Sequence, residues 1–130
     1  MSYIRYKNNN LFVESVSVRN LAIKLGTPFY LYSEGNIIKN YKSFLSNFKK
    51  SNPLICFSVK ANSNIQILKV LKKMGSGADV VSGGELLKVI KSGIKPNKIV
   101  FSGVGKTEDE IRLAIKKNIL LINVESENEA

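Results

Sequence analysis

The sequence contains no histidine, no tryptophan and only one cysteine, Cys56. Without histidine the chain lacks the most common general base and the most common metal ligand, so its chemistry must depend on other side chains and no metal site is predicted. A single cysteine excludes a disulfide within the chain. It also favours a reducing compartment, which we take to be the cytoplasm.

Long hydrophobic runs are absent as well. No stretch reaches the roughly 18 apolar residues of a membrane-spanning helix, and residues 1–5 have no signal-peptide hydrophobic core, so no membrane partner is predicted. Acidic residues are few, 10 against 20 basic ones, which gives a formal net charge of +10. Because the basic residues are nearly all lysines spread along helical stretches, we interpret them as a solvated surface and predict no nucleic-acid partner.

What the chain does contain is a repeated unit. Apolar runs begin near residues 54, 77, 98 and 119, roughly 22 residues apart, and helix-start signals follow the first three. Three capping boxes are predicted, namely Ser63 with Gln66, Ser82 with Glu85, and Thr107 with Glu110. Predicted helix ends are Gly75, Gly93 and Asn118. Strands that alternate with helices in short units predict a parallel sheet with right-handed crossovers.

The first part of the chain does not share this repeat. A strand is predicted at residues 11–13, a short helix at 18–25 ending at Gly26, and a second strand at 29–32 after Pro28. A helix is predicted at residues 34–50, following a candidate cap at Ser33. We expect residues 1–27 to contribute to a separate β-domain and residues 28–130 to form the β/α part.

One lysine, Lys60, follows the apolar run of residues 54–59. If the strand continues to Lys60, its side chain shares a face with Cys56 and Ser58, while the bulky residues Phe57 and Val59 face the helices. Desolvation at the mouth of a packed interior would favour the neutral, nucleophilic amine. The alternative is a surface lysine whose stem packs at the end of the strand, and spacing alone leaves both interpretations open.

Two acidic residues are candidates for roles beside this lysine. Asp79 lies within an apolar strand, where an unpaired carboxylate is costly, so it needs a partner. Lys60 on the neighbouring strand is one candidate and a structural contact is the other. For Glu85 the capping box already accounts for the side chain, which we therefore interpret as a cap residue and not as a catalytic acid.

Glycine-rich stretches do not complete a nucleotide-binding motif. The segment Gly103 to Thr107 resembles the end of a phosphate-binding loop, but the required earlier glycine is Val100. The dinucleotide pattern fails because Val80 and Glu108 occupy the positions of its third glycine. Gly83 and Gly84 form either a glycine turn or a place where a ligand approaches a helix N-terminus.

Polar residues at the predicted strand ends favour a barrel over an open sheet. Lys60, Ser82, Ser102 and Asn123 all fall at or just past the carboxyl ends of strands, where both architectures place active sites. A lysine on the same face as small residues fits the narrow interior of a barrel better. A complete eightfold barrel needs about 250 residues, so we expect the N-terminal half of a (β/α)8 TIM barrel, cut after about four strands.

Five segments closely resemble the diaminopimelate decarboxylase family of pyridoxal-phosphate enzymes, whose fold is an alanine-racemase-like barrel plus a β-domain. They are residues 27–33 (TPFYLYS), 58–64 (SVKANSN), 77–86 (GADVVSGGEL), 101–107 (FSGVGKT) and 122–127 (INVESE). The segments occur in the family's order and span nearly the whole chain. The resemblance implies that Lys60 carries pyridoxal 5'-phosphate as a Schiff base. Asp79, on the neighbouring strand, is our second candidate for the cofactor site.

The resemblance also implies an activity and its partners. The reaction would be decarboxylation of meso-diaminopimelate to L-lysine and carbon dioxide in lysine biosynthesis, by a cytoplasmic homodimer acting on a small amino acid. Three alternatives remain open: an ornithine or arginine decarboxylase of the same fold, a noncatalytic pyridoxal-phosphate carrier protein, and an inactive fragment. Alanine racemase fits less well, because the tyrosine-glycine-histidine run after its lysine motif is absent here. The family's other site residues fall beyond Ala130.

Overall fold

The structure is a computed structural model that describes residues 3–48 and 51–130. The chain divides into two compact units, Met1–Ser43 and Phe44–Ala130. The functional residues predicted above all lie in the second unit. No helix among the described residues is both long enough and apolar enough to cross a bilayer.

The first unit contains a small antiparallel sheet. Its three strands pair in chain order, β1 (Ile4–Lys7), β2 (Asn10–Val13) and β3 (Val16–Ser17). Between β1 and β2, Asn8 and Asn9 have φ values of 48° and 58°, which is the backbone of the tight turns that match strand twist in hairpins. The sequence predicts β2 but misses β1 and β3. Both strands are short, and β1 is exposed along its whole length, so neither shows an alternation of buried and exposed residues.

Two helices follow this sheet. The first, α1 (Val18–Leu25), ends at Gly26 as predicted, with φ at 78°. The second, α2 (Glu34–Ser46), begins after Ser33, whose hydroxyl accepts a hydrogen bond from Asn36 N at 2.9 Å and so confirms the predicted cap. It ends four residues before the predicted end at Lys50, and Lys49 and Lys50 lie outside the described residues. The strand predicted at 29–32 is wrong: the segment belongs to no strand, and Tyr30 is 90% exposed.

The second unit is the predicted parallel repeat. Its four strands pair in chain order as a parallel sheet: β4 (Cys56–Ser58), β5 (Gly77–Val80), β6 (Ile99–Phe101) and β7 (Leu121–Ile122). Helices α3 (Ile65–Lys73), α4 (Gly83–Ser92) and α5 (Glu108–Lys116) connect them. The prediction of parallel β/α units is therefore confirmed.

The predicted helix ends of the second unit are observed, but only one of its three predicted capping boxes is complete. Thr107 and Glu110 form a complete capping box at α5, and Ser82 caps α4 by accepting a hydrogen bond from Glu85 N. The box predicted at Ser63 is wrong, because the side chain of Asn64 caps α3, bonding Gln66 N at 2.9 Å. Asparagine is as good a cap as serine, so the helix starts one residue later. The predicted ends Gly75, Gly93 and Asn118 all have positive φ.

The two faces of the parallel sheet differ in chemistry. One face packs against the helices and is fully buried in the two central strands, at Ala78 and Val80 of β5 and Ile99 and Phe101 of β6. These positions alternate with Asp79 on the other face, as the pleat requires. Strand β4 ends earlier than the sequence predicts, at Ser58, and residues 59–61 form a 3-10 turn. The structure thus places a buried apolar layer on one side and the polar groups described next on the other.

Candidate cofactor site

Four polar side chains meet at the carboxyl ends of the parallel strands, one from each strand. Ser58 ends β4, Asp79 lies in β5, Ser102 follows β6 directly and Asn123 follows β7 directly. Ser58 and Asp79 are register partners, and Ser58 Oγ donates to Asp79 Oδ2 over 3.3 Å. Ser102 Oγ donates to Asp79 Oδ1 over 2.6 Å, and Asn123 Nδ2 donates to Ser102 Oγ over 2.9 Å. We call these four residues the strand-end cluster.

Lys60 lies in the 3-10 turn of residues 59–61 immediately after β4. Its side chain is exposed, and within residues 3–48 and 51–130 it makes neither a hydrogen bond nor an ion pair. The pairing of Lys60 with Asp79 considered from the sequence is not formed, because the two serine hydroxyls bond the carboxylate instead. The strand argument for Lys60 also fails, since the pleat ends at Ser58. The structure brings the lysine to the strand end that carries the cluster and leaves its amine available.

The floor beneath this cluster is tightly packed around Gly77. A Cβ atom added at Gly77 would lie 2.3 Å from the Lys98 carbonyl oxygen and 2.8 Å from Cys56 Sγ, so only glycine fits there. Burial raises the pKa of the Cys56 thiol, and the nearby negative charge of Asp79 adds to this effect. Cys56 is therefore a packed, protonated side chain and not a candidate nucleophile.

The helix N-termini beside the cluster use their glycines and acids structurally. Glu85 Oε2 accepts from Val81 N at 2.9 Å, one residue before the cap residue Ser82, so Glu85 bonds the helix N-terminus without closing the predicted capping box. Glu110 of α5 reaches across to α4, where its Oε1 accepts from Gly83 N at 2.7 Å. A Cβ at Gly83 would meet the Glu110 side chain at 3.2 Å. The glycine pair thus admits a neighbouring carboxylate and needs no ligand to explain it.

A second lysine, Lys106, has a role that the sequence does not reveal. Its side chain is fully buried; its Nζ donates to Gly103 O at 2.6 Å and forms an ion pair with Glu129. The other oxygen of Glu129 accepts from Glu125 N at 2.7 Å. These bonds tie the loop after β6 to the segment after β7. The signal in the sequence is weak, because Lys106 and Glu129 are separated by 22 residues that include a whole helix and strand.

Metal-ligand groups are also absent from the part of the chain that the structure describes: no three side chains of the ligand types histidine, cysteine, aspartate and glutamate lie together. The polar groups at the strand ends are one amine, one carboxylate, two hydroxyls and one amide. Such a set suits an organic ligand that carries a carbonyl and hydrogen-bonding groups.

Comparison with known proteins agrees with this chemistry. Residues 34–130 match the family described as pyridoxal-dependent decarboxylase, pyridoxal binding domain. Diaminopimelate decarboxylase of Aquifex aeolicus is 46% identical over 127 residues, which cover 98% of this chain and 30% of that protein. The enzyme of Helicobacter pylori is 54% identical over 100 residues, which cover 77% of this chain and 25% of that protein.

A solved structure shows the same fold. Diaminopimelate decarboxylase of M. jannaschii, crystallised in co-complex with L-lysine, superposes with a TM-score of 0.92 at 39% identity, over 97% of this chain and 30% of that one. The predicted fold class, the N-terminal half of a β/α barrel preceded by a segment with its own β-sheet, is confirmed by this likeness. The chain spans about 30% of the length of the curated relatives it matches.

Proposed function

Because this chain belongs to the pyridoxal-dependent decarboxylases and carries part of their pyridoxal-binding domain, we propose that Lys60 is the residue that holds pyridoxal 5'-phosphate covalently. The observation that carries the proposal is the unpartnered Lys60 amine at the carboxyl end of β4, among the described residues. A lysine already engaged in an ion pair would have to break it before reacting. The other lysine near the strand ends, the buried Lys106, is engaged in this way.

The residues at the strand ends fit pyridoxal phosphate by their chemistry. Lys60 offers a primary amine to the cofactor's aldehyde, and Asp79 offers a carboxylate for a cationic or hydrogen-bonding group nearby. Both oxygens of Asp79 accept a serine hydroxyl, which leaves further acceptor capacity on each oxygen. We therefore propose Asp79 as a cofactor-site residue that acts as a fixed negative charge. We also propose that residues 28–130 belong to the barrel and residues 1–27 to the β-domain of a longer protein.

Pyridoxal phosphate, when bound, supplies a conjugated ring that accepts the electron pair released as a carboxyl group leaves as carbon dioxide. The residues of this chain would anchor and orient the cofactor. Lys60 would hold the cofactor at the strand ends, and the strand-end cluster keeps a single negative charge at a defined position. The buried layer on the opposite face of the sheet holds the strands rigid, so that this geometry is set before substrate arrives.

For the reaction we propose decarboxylation of meso-diaminopimelate to L-lysine by the complete protein. One carbon–carbon bond to a carboxyl group breaks, carbon dioxide leaves, and a proton takes its place on the carbon. The support is that the relatives covering 98% and 99% of this chain bear that enzyme's name. We further propose that the complete protein works in the cytoplasm as a homodimer, as expected from the family resemblance.

The covalent assignment is tested on the full-length protein that contains this chain. Borohydride reduction of the loaded protein followed by peptide mapping should place the reduced cofactor on Lys60. The Lys60→Arg variant should lose the label and at least about 100-fold in turnover, since Lys60 would also move a proton. A matched control is Lys69→Arg, an exposed lysine of α3, which should keep both. Label on any other lysine overturns the proposal.

The substrate proposal needs a separate measurement. Carbon dioxide release should be fast with meso-diaminopimelate and at background with ornithine and arginine. Release with ornithine or arginine alone would identify a related decarboxylase, and labelled Lys60 without release from any of the three would favour a carrier protein. Light scattering of the full-length protein gives the subunit number, where a monomer would contradict the homodimer.

A further inference from the structure

The strand-end cluster is arranged as a directional chain of hydrogen bonds. Asn123 Nδ2 donates to Ser102 Oγ, and Ser102 Oγ donates its only hydrogen to Asp79 Oδ1. An amide nitrogen cannot accept, so the direction is fixed from Asn123 toward Asp79. On the other side, Ser58 Oγ donates to Asp79 Oδ2. The two serine hydroxyls therefore converge on one carboxylate, one from each side of its strand, and Asn123 donates to one of these hydroxyls.

From this geometry we propose that Ser102 and Asn123 are positioning residues that fix the orientation of the Asp79 carboxylate in the cofactor site. The inference rests on the proposed function of Lys60. Ser102 acts through Asp79, and Asn123 acts through Ser102. Ser102 bonds one carboxylate oxygen of Asp79 and Ser58 bonds the other. These two bonds fix the plane of the carboxylate and therefore the directions of its remaining lone pairs.

Geometry also explains why Ser102 needs Asn123 in order to orient Asp79. A serine hydroxyl rotates freely and has other acceptors available, so on its own it does not have to donate to Asp79. The N–H of Asn123 occupies a lone pair of Ser102 Oγ and leaves the hydroxyl hydrogen to point at Asp79. Asn123 is exposed, so its contribution is to direction more than to burial.

An isosteric change reverses this direction. In Asn123→Asp the donor becomes an acceptor, so the Ser102 hydroxyl turns toward residue 123 and Asp79 Oδ1 loses its partner. Ser102→Ala removes the link outright, and Ser102→Thr retains a hydroxyl in its place. The charge-matched control is Asn97→Asp, an exposed residue in the turn that precedes β6, at the opposite end of the strand.

The test uses the full-length protein loaded with pyridoxal phosphate. We expect Asn123→Asp and Ser102→Ala to shift the visible absorption spectrum of the bound cofactor and to speed its release by about tenfold, the equivalent of one hydrogen bond to a charged group. Ser102→Thr should restore the spectrum, and Asn97→Asp should match wild type. Turnover should fall with little change in KM, because a misdirected charge affects the reacting state and not substrate capture.

Each result decides between the proposals. Wild-type spectra and release rates in Asn123→Asp and Ser102→Ala, with Lys60 still labelled by borohydride, would overturn the positioning role and leave the proposed function standing. A label elsewhere than Lys60 in the wild type would overturn both. Equal spectral changes in Asn97→Asp would show a general charge effect and overturn the positioning role. Because Asn123 is exposed, its variant tests the idea even where Ser102→Ala fails to fold.

Discussion

The carboxylate of Glu110 in α5 bonds the first backbone N–H of the neighbouring helix α4, with 2.7 Å between Glu110 Oε1 and Gly83 N. Its second oxygen accepts from the backbone N–H of Thr107, the cap residue of its own helix. One side chain therefore satisfies donors at two helix N-termini, which have no partner within their own helices. It joins two consecutive β/α units at the carboxyl ends of the strands, the end of the sheet that carries the strand-end cluster.

Replacing this carboxylate should destabilise the protein more than a surface acid does. We expect Glu110→Ala to lower the free energy of unfolding by about 1–2 kcal/mol, the range for loss of a helix cap. The control is Glu108→Ala on the same helix, where an exposed ion pair with Arg112 is lost at about 0.3–0.5 kcal/mol. Thermal melts of the two variants provide the comparison. Equal losses would show that the link between the helices contributes nothing.

The stability contributed by Glu110 should depend on pH in one direction. Hydrogen bonds from Gly83 and then from Thr107 hold the pKa of Glu110 below its ordinary value of 4.5. A lowered folded-state pKa means that the unfolded chain takes up the proton first, so the contribution is present above pH 4.5 and is lost as pH falls through the folded pKa. The melting-temperature difference between wild type and Glu110→Gln should therefore shrink below pH 4.5. A constant or growing difference would contradict this sign.

Two glycines with contrasting surroundings test the packing beneath the cluster. Gly77→Ala places a methyl group 2.3 Å from the Lys98 carbonyl oxygen, and we expect a loss of about 1–3 kcal/mol from overpacking. Gly84→Ala is the control, because its nearest neighbour is Ser82 Oγ at 3.9 Å and alanine favours a helix by up to about 1 kcal/mol. Unfolding in denaturant should show a lower free energy of unfolding for Gly77→Ala and a higher one for Gly84→Ala. An unchanged free energy of unfolding in Gly77→Ala would mean that the residues packed around Gly77 move easily to admit a methyl group.

Lysine reactivity distinguishes the two lysines beside the strand ends. In the cofactor-free full-length protein, Lys60 should react with an amine-directed acylating reagent, while the buried and paired Lys106 should react at least about tenfold more slowly, since it requires local opening. Adding pyridoxal phosphate should then protect Lys60. Mass spectrometry of the peptides measures both rates. Fast modification of Lys106 would show that its ion pair opens readily.

The 130 residues expressed alone should present exposed apolar side chains to solvent. Val104 is 89% exposed, Ile115 66% and Val124 55%. We expect this piece to bind a hydrophobic dye and to self-associate, because outer strands of an open parallel sheet offer unpaired backbone groups. A monomeric product with a cooperative melt in sedimentation and calorimetry would contradict the expectation.

Local signals in the sequence predicted the second unit well. Caps such as Ser82 and Thr107 and stops such as Gly93 act within one helix turn, so their chemistry is visible in a few residues. The choice of Asn64 over Ser63 was beyond such signals, because both side chains are good caps. Strand β4 was predicted too long for a related reason: the apolar run continues through Val59, although the strand ends at Ser58 and the turn begins at Val59.

Contacts between distant residues were the part that the sequence did not reveal. Asp79 was correctly expected to need a partner, but the serines that bond it lie 21 and 23 residues away and have no distinguishing pattern. In the sequence Lys106 belongs to an incomplete phosphate-loop motif, and its burial is accompanied by an ion pair with the distant Glu129. Ser102 and Asn123 were placed at strand ends by periodicity, while their bond to each other follows from the register of β6 and β7.

The register of the parallel sheet gives the cluster a role during folding. Each of the four polar groups comes from a different strand, and Ser58 meets Asp79 only when Cys56 is opposite Gly77. A slip of one residue would turn Asp79 toward the buried apolar face and leave its charge without donors. A sheet with shifted register is therefore less stable than the correctly aligned one. Under the proposed function, binding of the cofactor at Lys60 would indicate that the strands are correctly aligned.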